Sequence, residues 1–91
     1  MITQQILPSL IYGMGKERLR NPKHPTQKPV QILKKIINIA SNEGDLVFDP
    51  FMGVGSTGVA ALELKRRFVG FEIEKAYFDA AKLRLSEQSL L

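Results

Sequence analysis

The chain has 91 residues and is 44% hydrophobic and 24% charged, proportions typical of an ordered globular domain rather than of a disordered polypeptide. It has no cysteine and one histidine, which excludes a disulfide framework and a thiolate metal site and leaves no histidine cluster to hold a metal. No apolar run approaches the about 20 residues that span a bilayer, and the N-terminus lacks the pattern of a signal peptide, so we expect a cytoplasmic protein without a membrane partner.

The net charge of +4 is concentrated near the N-terminus. Residues 1–30 hold five basic side chains and one acidic side chain, whereas residues 31–91 hold eight of each. A local basic segment suits a polyanion such as DNA, although a solvated loop in a mildly basic protein would show the same excess.

The first 25 residues show no sustained hydrophobic period and are interrupted by prolines and glycines. This pattern predicts mainly loop, with a short strand at Ile6–Tyr12. We interpret residues 1–21 as a loop-rich basic segment and residues 22–91 as the main domain.

A helix is predicted after Thr26, which is a suitable N-cap, with Pro29 tolerated in the first turn. Its apolar side chains recur at helical spacing, and the turn 42–45 ends it. The apolar set is Ile32, Leu33, Ile36, Ile37 and Ala40.

The second half of the chain predicts a strand at Leu46–Phe48, a helix capped by Ser56 or Thr57 and closed by Arg66 and Arg67, and a strand at Phe68–Phe71. A third helix follows at about 74–87, with a predicted buried stripe of Ala76, Tyr77, Ala80, Ala81 and Leu83. The order helix–strand–helix–strand–helix indicates an α/β fold with parallel strands. Two parallel strands make an incomplete sheet, so further strands are expected from a partner, a second copy or a missing portion of the protein.

Gly53, Gly55 and Gly58 form a G-x-G-x-x-G pattern between the first of these strands and the helix, and Glu72 lies about 20 residues further on. Glycines allow a tight turn and close approach of a ligand to the main chain, and the free N–H groups of the helix point at that ligand. The pattern predicts a nucleotide-cofactor site, with Glu72 accepting hydrogen bonds from a ribose.

The charge of the turn favours one cofactor over another. Asp49 and three further residues separate the strand from Gly53, whereas dinucleotide fingerprints reach glycine almost directly, and an acid there would repel a pyrophosphate. S-adenosylmethionine carries a sulfonium, an ammonium and a ribose but no phosphate, so Asp49 suits its amino group and Glu72 its ribose. An NAD(P)-binding module remains the alternative.

Three motifs resemble those of the DNA amino-methyltransferases, which methylate adenine N6 or cytosine N4 with S-adenosylmethionine. The stretch 48–57, FDPFMGVGST, is similar to their cofactor-binding motif. The stretches HPTQKP at 24–29 and RFVGFEIE at 67–74 are similar to the motifs that flank it. The order, with HPTQKP ahead of the glycine motif, matches the beta-type members of the family, and the resemblance covers roughly residues 22–85.

The resemblance implies a partial Rossmann-like methyltransferase fold, DNA as a partner and a role in restriction-modification. It places Asp49 at the methionine amino group, Phe51 near the methyl-transfer pocket, Glu72 at the ribose, and Thr26 and Lys28 near the methionine carboxylate. For Lys28 a solvated position, and for His24 a structural turn, are alternatives. The implied cofactor-binding set is Thr26, Lys28, Asp49, Pro50, Phe51, Gly53, Gly55, Ser56, Thr57 and Glu72.

The family's catalytic tetrad, Asp/Asn/Ser-Pro-Pro-aromatic, is absent because the sequence contains no Pro-Pro. That tetrad holds the flipped target base, so the chain is expected to contain no catalytic residue and to be inactive alone. We expect a C-terminal cofactor-binding portion whose first 21 residues are the tail of a target-recognition region. Its expected partners are a missing N-terminal part or a separate catalytic polypeptide, or a second copy; a non-catalytic subunit is a further alternative.

Overall fold

The computed structural model describes residues 2–6, 9–16 and 30–89, with the side chains of 9–13 and 30–88. These ranges form β1 (Ile2–Ile6), β2 (Ser9–Lys16), α1 (Val30–Ala40), β3 (Leu46–Asp49), α2 (Ser56–Glu63), β4 (Arg67–Glu74) and α3 (Lys75–Ser89). The strands form one sheet in the order β1-β2-β4-β3, in which β1 is antiparallel to β2 and the other pairs are parallel. The predicted α/β class, and the parallel strands β3 and β4 joined by α2, are confirmed.

The two N-terminal strands differ from the sequence-based expectation. The prediction of loop is wrong for residues 2–5 and 13–16, and the predicted strand Ile6–Tyr12 is divided between β1, which ends at Ile6, and β2, which begins at Ser9 and pairs antiparallel with β1. β2 pairs with β4, from Ser9 opposite Phe68 to Lys16 opposite Glu74, so its partner lies far along the chain. The chain therefore supplies one more strand than predicted and forms a four-stranded sheet, while the assignment of residues 1–21 to a target-recognition region stays a prediction.

β2 contains Gly13, although a glycine usually weakens a strand. A β-carbon at this position would lie 2.6 Å from Cδ2 of the Phe78 ring. The ring packs directly on the strand backbone, so α3 lies close to the sheet. Phe78 itself is buried.

Helix α1 packs on α2 through one narrow stripe. Leu33 and Ile37 are buried, whereas Ile32 and Ile36, which were predicted on the same apolar face, are 55% and 57% exposed. The ion pair between Lys34 Nζ and Glu63 Oε2, at 3.2 Å, joins α1 to α2. The predicted N-cap Thr26 and Pro29 lie outside the described residues, and the predicted turn after the helix is present, with Gly44 at a φ of 87°.

Both predicted ends of α2 need correction. The N-cap is Gly55, with a φ of 86°, and no side chain caps the helix. The helix ends at Glu63, and Arg66 lies beyond it as a buried side chain whose Nη1 donates to the carbonyl of Leu64, the C-cap residue. Local sequence favours serine as a cap, but the positive φ required at this turn is more easily adopted by glycine.

The core lies between α2, α3 and one face of the sheet. Its largest fully buried side chains include Phe68, Ile11 and Leu85. The buried stripe of α3 contains Phe78, Ala81 and Leu85, whereas Leu83, which was predicted in it, is 62% exposed because it lies on the opposite side of the helix.

The other face of the sheet is open. Leu46 and Phe48 of β3 and Ile73 of β4 are 54%, 57% and 47% exposed, and the helices of the described ranges pack on the first face. Strands that carry apolar side chains on both faces are typical of a sheet covered by helices on two sides. In the described part of the chain, no helix is long and apolar enough to cross a membrane.

Candidate cofactor site

A tight turn connects β3 to α2. β3 ends at Asp49, whose Oδ1 accepts a hydrogen bond from the Phe51 N–H at 3.0 Å. The Gly55 N–H donates to the Met52 carbonyl at 2.9 Å, which closes a four-residue turn with Gly53 in its first central position, at a φ of 56°. Glycine adopts this left-handed conformation without the cost of a β-carbon clash.

Glu72 connects the end of β4 to this turn. Its Oε1 accepts the Gly53 N–H at 3.0 Å, and its Oε2 accepts the Glu74 N–H at 2.7 Å. The Met52 N–H donates to the Phe71 carbonyl at 2.9 Å. The predicted acid and the predicted glycine turn are therefore in direct contact, although 19 positions separate Gly53 from Glu72 in the sequence.

The three glycines of the motif have different surroundings. A β-carbon at Gly53 would meet no atom within 4 Å, so this position faces open space. A β-carbon at Gly55 would lie 3.1 Å from Ala81 Cβ, and one at Gly58 would lie 2.7 Å from Leu85 Cδ2. Gly53 thus permits a ligand to approach the main chain, whereas Gly55 and Gly58 permit α2 to pack closely on the rest of the core.

A cavity of about 240 Å³ opens beside the turn, at the carboxyl ends of β2 and β4. The Tyr12 and Phe71 rings stack in its wall with centroids 4.6 Å apart, and Phe51 borders it while remaining 87% exposed. The lining residues are Tyr12, Gly13, Pro50, Phe51, Phe71, Glu72 and Ile73. Ligands of open α/β sheets bind at this edge, beyond the carboxyl ends of the strands.

The predicted site residues fall into three groups. Pro50, Phe51 and Glu72 line the cavity. Thr26 and Lys28 lie outside the described residues, so their predicted contacts stay predictions. The remaining five form the turn and the start of α2 without lining the cavity: Asp49, Gly53, Gly55, Ser56 and Thr57.

The Ser56 side chain differs most from its expected position. It is buried, and its Oγ accepts a hydrogen bond from Nη1 of Arg84 at 3.2 Å. The same Nη1 donates to the Val54 carbonyl at 2.9 Å. Ser56 therefore faces α3 rather than the cavity.

Sequence reasoning missed five residues at the site. Four of them line the cavity, namely Tyr12 and Gly13 of β2 and Phe71 and Ile73 of β4. The fifth is Arg84 of α3, which contacts the turn. Their positions depend on how β2, β4 and α3 pack on the turn. The aromatic character of Tyr12 in a short apolar segment was the one local signal available.

The fold and the turn together define a class of protein. Parallel strands, a glycine turn that leads into a helix and an acid that contacts that turn are the features of a nucleotide-cofactor-binding α/β domain. A protein-family model described as DNA methylase (N6_N4_Mtase) matches residues 3–83. The chain belongs to this family.

Two curated relatives are also methyltransferases. The chain is 49% identical over 67 residues to the type II methyltransferase M2.DpnII of Streptococcus pneumoniae, a match that covers 74% of the chain and 25% of that protein. It is 43% identical over 83 residues to the type II methyltransferase M.HinfI of Haemophilus influenzae, covering 87% of the chain and 23% of that protein. The chain thus spans about a quarter of the length of these relatives.

A solved structure is similar in both fold and sequence. The crystal structure of the M1.HpyAVI–SAM complex matches with a TM-score of 0.67 and 52% identity, over 76% of this chain and 34% of that one. The predicted partial methyltransferase fold is confirmed by this likeness.

Proposed function

We propose that this chain is the S-adenosylmethionine-binding portion of a DNA methyltransferase that methylates a base amino group, with adenine N6 favoured over cytosine N4. The observation that carries the proposal is the contact of Glu72 with the Gly53 N–H at the mouth of an aromatic-walled cavity. Membership of the DNA methylase family supports it, as does the likeness to a methyltransferase whose structure is described as a SAM complex.

The free acceptors of the turn fit the charge of this cofactor. Asp49 uses Oδ1 for the Phe51 N–H, and its Oδ2 makes no hydrogen bond with the described residues, so it is free to accept from an ammonium group. Each Glu72 oxygen accepts one backbone N–H and retains a lone pair for a ribose hydroxyl. Two carboxylates beside a glycine turn suit a cationic cofactor without phosphate.

The remaining surfaces fit the apolar parts of the cofactor. The stacked rings of Tyr12 and Phe71 and the exposed ring of Phe51 supply aromatic wall for a flat base, and the open space at Gly53 admits the cofactor to the main chain. Thr26 and Lys28 are the proposed partners of its carboxylate. When bound, the cofactor supplies the methyl group on a sulfonium, and the residues of this chain orient it.

The handling of the target base belongs to another part of the enzyme. The chain has no Pro-Pro and so lacks the tetrad that holds the base amine, and it spans about a quarter of its curated relatives. We propose that the complementary part, supplied by the same or a separate polypeptide, covers the open sheet face at Leu46, Phe48 and Ile73. A second copy on that face is the alternative occupant.

The test of activity uses labelled S-adenosylmethionine and DNA. We expect no transfer of label by the chain alone. We expect transfer when the portion of a relative such as M2.DpnII that this chain does not match, which we expect to contain the tetrad, is added. That portion alone is the matched control. Transfer by the chain alone would contradict the proposal that another part of the enzyme handles the base. If the two portions form a complex but transfer no label, the chain is better explained as a non-catalytic subunit.

The test of the cofactor is a calorimetric titration with S-adenosylmethionine and, separately, with NAD and NADP. We expect binding of S-adenosylmethionine and no binding of NAD or NADP, because Asp49 repels a pyrophosphate. Tighter binding of a dinucleotide would overturn the cofactor assignment.

A further inference from the structure

The turn between β3 and α2 is held from two sides. β4 holds its first half, through the Met52 N–H to the Phe71 carbonyl at 2.9 Å and the Gly53 N–H to Glu72 Oε1 at 3.0 Å. α3 holds its second half, through Arg84 Nη1, which lies 2.9 Å from the Val54 carbonyl and 3.2 Å from Ser56 Oγ.

The Arg84 bond sets the orientation of one peptide group. In a trans peptide the carbonyl and the following N–H point in opposite directions. The Val54 carbonyl points at Arg84, and accordingly the Gly55 N–H points back at the Met52 carbonyl, 2.9 Å away. Because Gly55 has a φ of 86° and no side chain, rotation of this peptide meets little local resistance once the guanidinium is removed.

The stability of α2 does not account for Arg84. The partial positive charge of a helix N-terminus disfavours a cation beside it, and Arg84 approaches that end of α2 at Ser56. Its hydrogen bonds to the turn offset this repulsion. A guanidinium is suited to this task because its donors are held in a rigid plane and it stays charged at all physiological pH values.

We propose that Arg84 is a positioning residue for the cofactor turn: it holds the Val54–Gly55 peptide, and with it Gly53 and the start of α2, in the conformation that binds S-adenosylmethionine. Arg84 acts through the main chain and does not line the cavity. A turn already held in its binding conformation loses less entropy when the cofactor binds. The inference rests on the proposed function, since it names a determinant of the same site.

The test compares Arg84→Met, which keeps a long apolar stem and removes the donors, with Arg84→Lys and with the control Arg67→Met. Arg67 is matched because its Nε also donates to a backbone carbonyl, that of Gly44 at 3.0 Å, but at the opposite end of β4. Two quantities are measured on the full chain: affinity for S-adenosylmethionine by calorimetry, and hydrogen exchange of the Gly55 amide by NMR.

For Arg84→Met we expect about tenfold weaker binding and about tenfold faster exchange at Gly55, the effect of losing a charged hydrogen bond. Arg84→Lys should recover part of the affinity and part of the protection from exchange, and Arg67→Met should change neither the affinity nor the exchange rate. Unchanged affinity in folded Arg84→Met would overturn the proposal, and so would equal Gly55 exchange in Arg84→Met and Arg67→Met. If Arg84→Met does not fold, the comparison of Arg84→Lys with Arg67→Met decides by the same two measurements.

If the proposed function itself is wrong, the experiment gives a different result. A wild-type chain that binds no S-adenosylmethionine would overturn the cofactor assignment, and the proposed role of Arg84 in cofactor binding would fall with it. Faster Gly55 exchange in Arg84→Met would then show that Arg84 orders the turn without serving this cofactor.

Discussion

Asp49 is the residue whose position best separates the candidate cofactors. It ends β3, it stabilises the turn through the Phe51 N–H, and it retains one carboxylate oxygen without a partner in the described residues. A carboxylate at this place favours an ammonium ligand and disfavours a phosphate.

The substitution Asp49→Ala is therefore expected to weaken S-adenosylmethionine binding by roughly ten- to a hundredfold, the effect of losing a charge-assisted hydrogen bond. Asp45→Ala is a matched control, because Asp45 Oδ2 also accepts a nearby backbone N–H, that of Asn42 at 2.8 Å, but lies away from the turn. Calorimetric titration of both variants checks this, and equal affinities would count against Asp49 as a ligand.

Gly58 illustrates a glycine that serves packing rather than the ligand. A β-carbon there would lie 2.7 Å from Leu85 Cδ2 and 2.8 Å from Phe68 Cδ2, and all three positions are buried. The motif pattern alone does not distinguish it from Gly53, which faces open space.

For Gly58→Ala we expect a loss of about 1–3 kcal/mol in the free energy of unfolding, because overpacking outweighs the better helix propensity of alanine. Denaturant unfolding measures the change. A midpoint equal to or above that of the wild type would show that Phe68 and Leu85 repack without cost.

At the scale of elements, Arg66 joins the ends of α1 and α2. It is 4% exposed, and it donates from Nε to Ser41 Oγ at 2.9 Å, from Nη2 to the Ser41 carbonyl at 2.7 Å and from Nη1 to the Leu64 carbonyl at 2.7 Å. Carbonyls at helix ends lack intrahelical partners, so one side chain satisfies acceptors at the ends of two helices.

Replacing this side chain in Arg66→Met should lower the free energy of unfolding by about 2–3 kcal/mol, since it leaves partly buried carbonyls without donors. Arg67→Met, at an exposed neighbouring position, should change it by no more than about 0.5 kcal/mol. Thermal and denaturant unfolding of the two variants provide the comparison. Equal losses in the free energy of unfolding would show that the burial of Arg66 adds nothing to stability.

At the scale of the whole molecule, helices cover one face of the sheet, and no helix of the described residues covers the other. The open face exposes Leu46, Phe48 and Ile73, and Phe48 and Phe71 meet edge to face with centroids 5.6 Å apart. This exposed apolar face is the surface that we propose for the complementary part of the enzyme.

Leu46→Thr combined with Phe48→Thr is expected to make the chain less prone to self-association and to weaken its complex with the tetrad-containing portion of a relative. Threonine has the β-branched shape that suits a strand and exposes less apolar area than leucine or phenylalanine. Light scattering and a binding titration measure the two effects, with Ile39→Thr on the exposed side of α1 as control. An unchanged complex would mean that the partner binds elsewhere.

The sequence by itself determined the contiguous part of the site. β3, the glycine turn, α2 and the acid at the end of β4 follow one another along the chain, and their order restricts how they can meet. Asp49 and the spacing to Glu72 therefore indicated the cofactor class, and the absence of Pro-Pro led to the prediction that another part of the enzyme holds the base. The family-model match to residues 3–83 confirms the family.

Only the tertiary structure decided which distant residues complete that site. The second half of β2 was predicted as loop because the strand that stabilises it, β4, lies far along the chain. Ser56 was predicted as a cap because its hydrogen-bond partner Arg84 is 28 positions away. Such residues are selected by packing and hydrogen bonding between elements, interactions that local propensity and spacing do not contain.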